Sequence, residues 1–164
     1  MNDEKGQLSG EYMLLVGSLI VVLMISIFMI ANENELNIAM AAAKLGADEG
    51  VASSSSAIYP KETFNEYDDM EGLKHPYSVS IVNVSYNSSG IDENYGKQKI
   101  QFKVYAKASV DYNKKELDSI GDRINYNLRK SVAMSFNTTD STNKLYNPVF
   151  SNNYVFTTAN VVWV

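Results

Sequence analysis

The chain has 164 residues, enough for one domain with a modest core, and a formal net charge of −5. A net negative chain without a long basic run lacks the electrostatic footprint of a nucleic-acid-binding protein. The absence of cysteine excludes a disulfide framework, thiol catalysis and a cysteine zinc site. The overall composition, 45% hydrophobic and 20% charged, is typical of a soluble globular protein, but this average conceals a strong segregation along the chain.

The first predicted element is an apolar helix. All 14 basic and 19 acidic residues lie outside residues 12–31, where only Gly17, Ser18 and Ser26 are not hydrophobic. A helix of 20 such residues is about 30 Å long, which matches the hydrocarbon thickness of a bilayer. The run therefore predicts a membrane-spanning segment.

Three kinds of segment have this length: a cleaved secretory signal, a single-pass anchor, and a helix that is retained for another use. The leader, residues 1–6, carries two acidic residues against one lysine, whereas a secretory signal begins with a basic region. Met29 also stands where a secretory cleavage site needs a small residue. We therefore disfavour the secretory signal.

The helical pattern continues beyond the apolar run, without a proline until Pro60, and predicts one helix over about residues 7–55. Its second half is rich in alanine and apolar on more than one face, so that we expect it to be buried. Either copies of the chain or its own head could cover it. The main predicted stripe contains Leu36, Met40, Ala43, Ala47 and Val51.

A motif stands at the junction of the leader and the apolar run, Gly6-Gln7-Leu8-Ser9-Gly10-Glu11-Tyr12. It resembles the class III signal peptide of archaeal type IV pilins, especially those of methanogens. Their pattern is a short charged leader that ends in glycine, followed by Q-x-S-x-E-Y/F and an apolar stretch. Every fixed position of that pattern is filled here.

The resemblance implies that a prepilin peptidase cleaves between Gly6 and Gln7, leaving residues 1–6 as the removed leader. Glu11 would then be the fifth residue of the mature chain, and Glu11 and Tyr12 would serve processing and assembly. A carboxylate there would face the free backbone N–H groups of the first helical turn, which favour a negative charge. An interfacial anchor is the simpler alternative for Glu11.

The remaining residues, 57–164, predict a head domain of the α+β class, after a long N-terminal helix over residues 7–56. Strands are expected at residues 78–86 and, from strict alternation, at residues 99–112, joined as an antiparallel pair. Asn113 and Glu116 form the pattern of a capping box, which predicts a helix that continues to about Met134. One or two further strands are expected within residues 153–164, which completes an antiparallel sheet with one packed helix.

Acidic residues between 62 and 71 predict a solvated segment more than a metal site, and residues 92–96 match a calcium loop only weakly. His75, the only histidine, has no visible partners for a metal. We expect no metal, no cofactor and no enzymatic activity, because none of the common catalytic motifs is present. Three N-glycosylation sequons begin at Asn83, Asn87 and Asn137.

The resemblance implies a pilin that polymerises through its N-terminal helix, waits in the cytoplasmic membrane with its head outside, and forms an adhesive filament on the cell surface. Its implied partners are other copies of the chain, the prepilin peptidase, a pilus assembly platform and an oligosaccharyltransferase that attaches N-glycans; nucleic acid is not expected. Alternatives are an archaellin-like swimming-filament subunit, a minor pilin, and a membrane-anchored binding protein that uses the same secretion route.

Overall fold

A computed structural model describes the backbone of residues 3–52 and 78–164, and the side chains of residues 10–52 and 78–164. The predicted helix end near Ser55, Pro60, the acidic segment and His75 lie outside the described residues. The chain divides into two units, Met1–Asn37 and Ile38–Val164. The α+β class is confirmed, with a long apolar N-terminal helix followed by a head with a sheet and a second helix.

Helix α1 spans Asp3–Ala52 and contains the whole predicted apolar run. In this uncleaved chain the free N–H groups of the first turn belong to residues 3–6, and Glu11 lies two turns further on. Only removal of the leader would bring Glu11 to the helix start. In the second unit, the buried face of α1 consists of small residues: Ala39, Ala42, Ala43, Gly46, Ala47 and Gly50.

Strands β1 (Val79–Ile91) and β2 (Gln98–Ala108) pair antiparallel, as predicted. Strand β1 is longer than expected, because the Ser- and Asn-rich residues after Tyr86 continue to pair with β2. Strand β2 ends at Ala108, which leaves Val110 outside the sheet and exposed. Buried Ile100, Phe102 and Val104 alternate with exposed or half-buried residues, as the period of two requires.

Three short strands complete the sheet within the described residues: β3 (Val149–Phe150), β4 (Tyr154–Thr158) and β5 (Val162–Trp163). The strand order is β1-β2-β4-β3, and β5 also pairs with β2. The expectation of an antiparallel sheet needs correction here, since β4 and β5 both run parallel to β2. The chain crosses over between β2 and β4 through helix α2, and a helical crossover is what makes parallel pairing possible.

Helix α2 spans Lys114–Ser135 and confirms the predicted capping box: the Asn113 side chain accepts from the Glu116 backbone N–H, and the Glu116 carboxylate accepts from the Asn113 N–H, both at 2.9 Å. A 3₁₀ turn, Thr139–Ser141, follows it. Helix α2 packs on β3 and β4, and Phe156 of β4 stacks between Phe102 of β2 and Phe136, the C-cap residue of α2, at centroid distances of 5.6 and 5.7 Å. The buried stripe of α2 contains Ile120, Ile124, Leu128 and Val132.

Candidate functional site: the apolar helix and the head surface

The apolar run of α1 is exposed along its entire length. Fifteen of its sixteen large hydrophobic side chains from Tyr12 to Ile30 are between 51% and 76% exposed, and Val16 is half-buried. Surfaces of this size on one chain are normally covered by lipid or by protein. Within the part of the chain that the structure describes, one helix is long and apolar enough to cross a bilayer. The first unit is therefore compatible with membrane anchoring.

The few polar groups of this run are satisfied within the helix itself. Ser18 donates its hydroxyl to the Leu15 carbonyl at 2.8 Å, and Ser26 donates to the Val22 carbonyl at 2.9 Å. A polar group without a partner is expensive in hydrocarbon, so that this internal bonding makes the surface equally suitable for lipid and for a protein core. Gly17 faces open space, with no atom within 4 Å of a Cβ added there.

The predicted processing residues lie in the first turns of α1. The backbones of Gly6 and Gln7 are helical, whereas their side chains lie outside the described residues. Glu11 and Tyr12 are both exposed, and Tyr12 is 70% exposed. The structure thus brings the four residues together on consecutive turns of one helix.

The second half of α1 packs closely on α2, through residues that the predicted stripe left out. A Cβ on Gly46 would lie 2.5 Å from the Asn127 carbonyl oxygen and 2.8 Å from the Leu128 Cα. A Cβ on Gly50 would lie 2.9 Å from the Ile124 Cα. Backbone therefore touches backbone along this contact, which only residues without a side chain permit. The sequence does contain a signal for this close helix contact, namely the recurrence of Gly and Ala at positions 39, 42, 43, 46, 47 and 50.

All three sequon asparagines are exposed on the head. Asn83 and Asn87 belong to β1, where they pair with Tyr105 and Gln101 of β2 and so share the sheet face that is turned away from the core. Asn137 follows α2 in the left-handed region, with φ 53°. Asparagine tolerates this conformation better than most residues. The three sites are thus accessible to a modifying enzyme.

The weak calcium-loop pattern forms a turn. The Asp92 carboxylate accepts from the Asn94 backbone N–H at 3.0 Å, and its other oxygen lies 3.9 Å from the Lys99 ammonium. No cluster of three or more metal-binding His, Cys, Asp or Glu side chains occurs within residues 10–52 and 78–164.

Together these features define a class of protein: an apolar N-terminal helix, exposed and suited to lipid or to other helices, in a chain with an α+β head. No protein-family model, curated protein or solved structure matches this chain.

Proposed function

We propose that the chain is the structural subunit of an archaeal type IV pilus. The observation that carries the proposal is the exposed, uncharged helical surface of residues 12–31, which begins at the tyrosine of the Q-x-S-x-E-Y motif. Such a surface dissolves in a bilayer before assembly and packs against copies of itself afterwards. The role is structural, and the protein acts by polymerising, without an enzymatic step.

The leader is the part of the chain that the proposal requires to be removed. Cleavage after Gly6 would start the mature chain at Gln7, five residues from Glu11 counted inclusively. The Glu11 carboxylate would then lie in the first helical turn, near backbone N–H groups without intrahelical partners. In the uncleaved helix these N–H groups belong to other residues.

The head would face the outside of the cell and line the filament surface, where weak adhesive contacts repeat from subunit to subunit. At least one of the exposed sequons at Asn83, Asn87 and Asn137 would carry an N-glycan there. Intact mass before and after enzymatic or chemical deglycosylation, compared with Asn→Gln variants, assigns the occupied sites.

Filaments sheared from the cell surface test the proposal directly. We expect this chain to dominate the sheared fraction and to begin at Gln7 by mass spectrometry. Dominance in a rotating swimming filament would favour an archaellin-like subunit, and trace abundance would favour a minor pilin. Retention in the membrane with Met1 still attached would overturn the proposal.

Variants at the junction sharpen this test. Gly6→Ile should block cleavage, and Glu11→Lys should block assembly, while the head stays folded. Gly10→Ile is the matched control, because Gly10 occupies a variable position of the motif and a Cβ there meets nothing within 4 Å. Normal filaments from both Gly6→Ile and Glu11→Lys would refute the assignment of the motif.

A further inference from the structure

An open cleft of about 380 Å³ lies in the head, between the first half of α2 and the last strand, β5. Its volume is in the range of small-molecule sites. Gly121 brings α2 close to the end of the chain, since a Cβ there would lie 3.4 Å from the Val161 side chain and 4.0 Å from the Trp163 ring. The other lining residues are Lys114, Leu117, Asp118, Asp122, Asn125 and Asn160.

The polar lining of the cleft is rich in hydrogen-bond acceptors. Asp118 and Asp122 are four residues apart on α2, so that both carboxylates lie on one side of the helix, about 6 Å apart along its axis. Ionised carboxylates accept hydrogen bonds and donate none. Partial burial raises the pKa of Asp122; Arg129 opposes this rise and Asp118 adds to it.

Asn125 connects α2 to the segment before β5 at the wall of the cleft. The residue is 6% exposed and its Nδ2 donates to the Ala159 carbonyl at 2.9 Å, whereas its Oδ1 has no hydrogen-bond partner. Exchanging the two amide atoms would set oxygen against the Ala159 carbonyl oxygen, which fixes the orientation. The Oδ1 atom is itself buried, so that a ligand in the open cleft does not reach it, and Asn125 belongs to the wall of the cleft and not to its acceptors.

An apolar surface stands beside these acceptors. Trp163 is the only tryptophan of the chain, and its half-buried indole lines the cleft together with Val161 and Leu117. An indole offers a broad flat face with little conformational freedom to lose on binding. A ligand that fits must therefore have both an apolar face and several hydrogen-bond donors.

We propose that this cleft binds a neutral sugar ring. The hydroxyl groups of a sugar would donate to Asp118 and Asp122, and its C–H face would cover the indole of Trp163. A calcium ion fits less well, because it takes six to eight oxygen ligands and the cleft also contains the Lys114 ammonium group. The binding site does not rest on the proposed function; only its use for adhesion does.

Trp163 is a built-in reporter, because no other tryptophan contributes to the fluorescence. The full chain, made in a host without N-glycosylation and kept in a zwitterionic detergent that contains no sugar, is titrated with glucose, galactose, mannose, N-acetylglucosamine and their disaccharides. Calcium chloride forms a separate arm. We expect a saturable change in emission with at least one sugar and none with calcium.

Two variants test the acceptors. Asp122→Asn and Asp118→Asn should each weaken sugar binding about tenfold, since hydrogen bonds to charged groups are among the stronger ones. Asp140→Asn is the matched control: Asp140 is an exposed acid of the 3₁₀ turn, outside the cleft, and its variant should bind like the original chain. Thermal unfolding verifies that all three variants are folded.

The source of the sugar is distinguished by a glycosylated preparation. If the chain's own glycan fills the cleft, emission is already changed before any sugar is added, and added sugar has no effect. If the sugar comes from another surface, both preparations respond alike. The proposal is overturned if no sugar in the panel gives a saturable response, if calcium alone does, or if Asp140→Asn weakens binding as much as Asp122→Asn.

Discussion

Replacing Gly46 by alanine tests the close contact between α1 and α2. The added Cβ would lie 2.5 Å from the Asn127 carbonyl oxygen, 2.7 Å from the Ser131 Cβ and 2.8 Å from the Leu128 Cα. Two of these atoms are backbone and cannot rotate away, so that the helices must separate. Overpacking of this kind costs about 1–3 kcal/mol.

Alanine also favours the helix by about 1 kcal/mol over glycine, which offsets part of that cost. If overpacking costs about 3 kcal/mol, the net loss in the free energy of unfolding for Gly46→Ala is about 2 kcal/mol. At about 3 °C per kcal/mol for a chain of this length, the melting temperature should fall by roughly 6 °C. The melting temperature should fall less for Gly50→Ala, because the nearest contact of a Cβ there, the Ile124 Cα, is 2.9 Å away and the next, the Arg123 carbonyl oxygen, is 3.3 Å away.

Thermal unfolding of the detergent-solubilised chain, followed by the emission of Trp163, measures these losses in the head. Gly17→Ala is the matched control, since a Cβ at Gly17 meets nothing within 4 Å and should not lower the melting temperature. A Gly46→Ala chain as stable as the original would refute the close approach of the two helices. A fall for Gly17→Ala as large as that for Gly46→Ala would show that the effect is general to glycine in α1.

Two further predictions concern α2. Asn113→Ala removes the side chain that accepts from the Glu116 N–H and should lower the free energy of unfolding of the head by about 1 kcal/mol in denaturant titration. The control Asn94→Ala, in an exposed turn, should have a smaller effect. Equal losses for the two variants would contradict the capping role. A carboxyl whose pKa is raised in the folded state destabilises the folded protein once it ionises, which happens as the pH rises above about 4. Asp122→Asn should therefore raise the melting temperature at neutral pH. This gain should vanish below that pH, and a gain that persists in acid would contradict the cause.

Local patterns in the sequence predict most individual elements of this fold. The alternation in β2 and the capping box at Asn113 both depend on neighbouring residues, and the structure confirms both. Pairing between distant segments has no such local signal. Strand β4 pairs parallel to β2 because α2 separates them in sequence and carries the chain back across the sheet. The Ser- and Asn-rich end of β1 is likewise a strand because β2 provides its hydrogen-bond partners, against the turn propensity of its residues.

The candidate functional surfaces also differ in whether the sequence alone predicts them. The apolar run of α1 follows from composition alone, and its exposure agrees with that prediction. The cleft beside Trp163 could not be predicted, because its lining residues come from two segments about forty residues apart that meet only in the folded head. Asn125 has the pattern of an ordinary polar position of an amphipathic helix, and only the fold shows that it is buried and donates to the Ala159 carbonyl.

Side-chain size explains why the predicted stripe on α1 was only partly right. The predicted stripe was expected to be buried against copies of the chain or against the head, yet Leu36, Met40 and Val51 are half-buried and Leu45 of the second apolar face is 67% exposed, while Ala39, Ala43 and Ala47 are fully buried. Burying a large apolar side chain gains more free energy than burying a small one, but the large side chain holds the two helix axes apart. Here Gly46 and Gly50 allow backbone contact, so that many small contacts replace a few large ones. Large residues such as Leu45 are left on the outer side of the helix, where another chain could cover them.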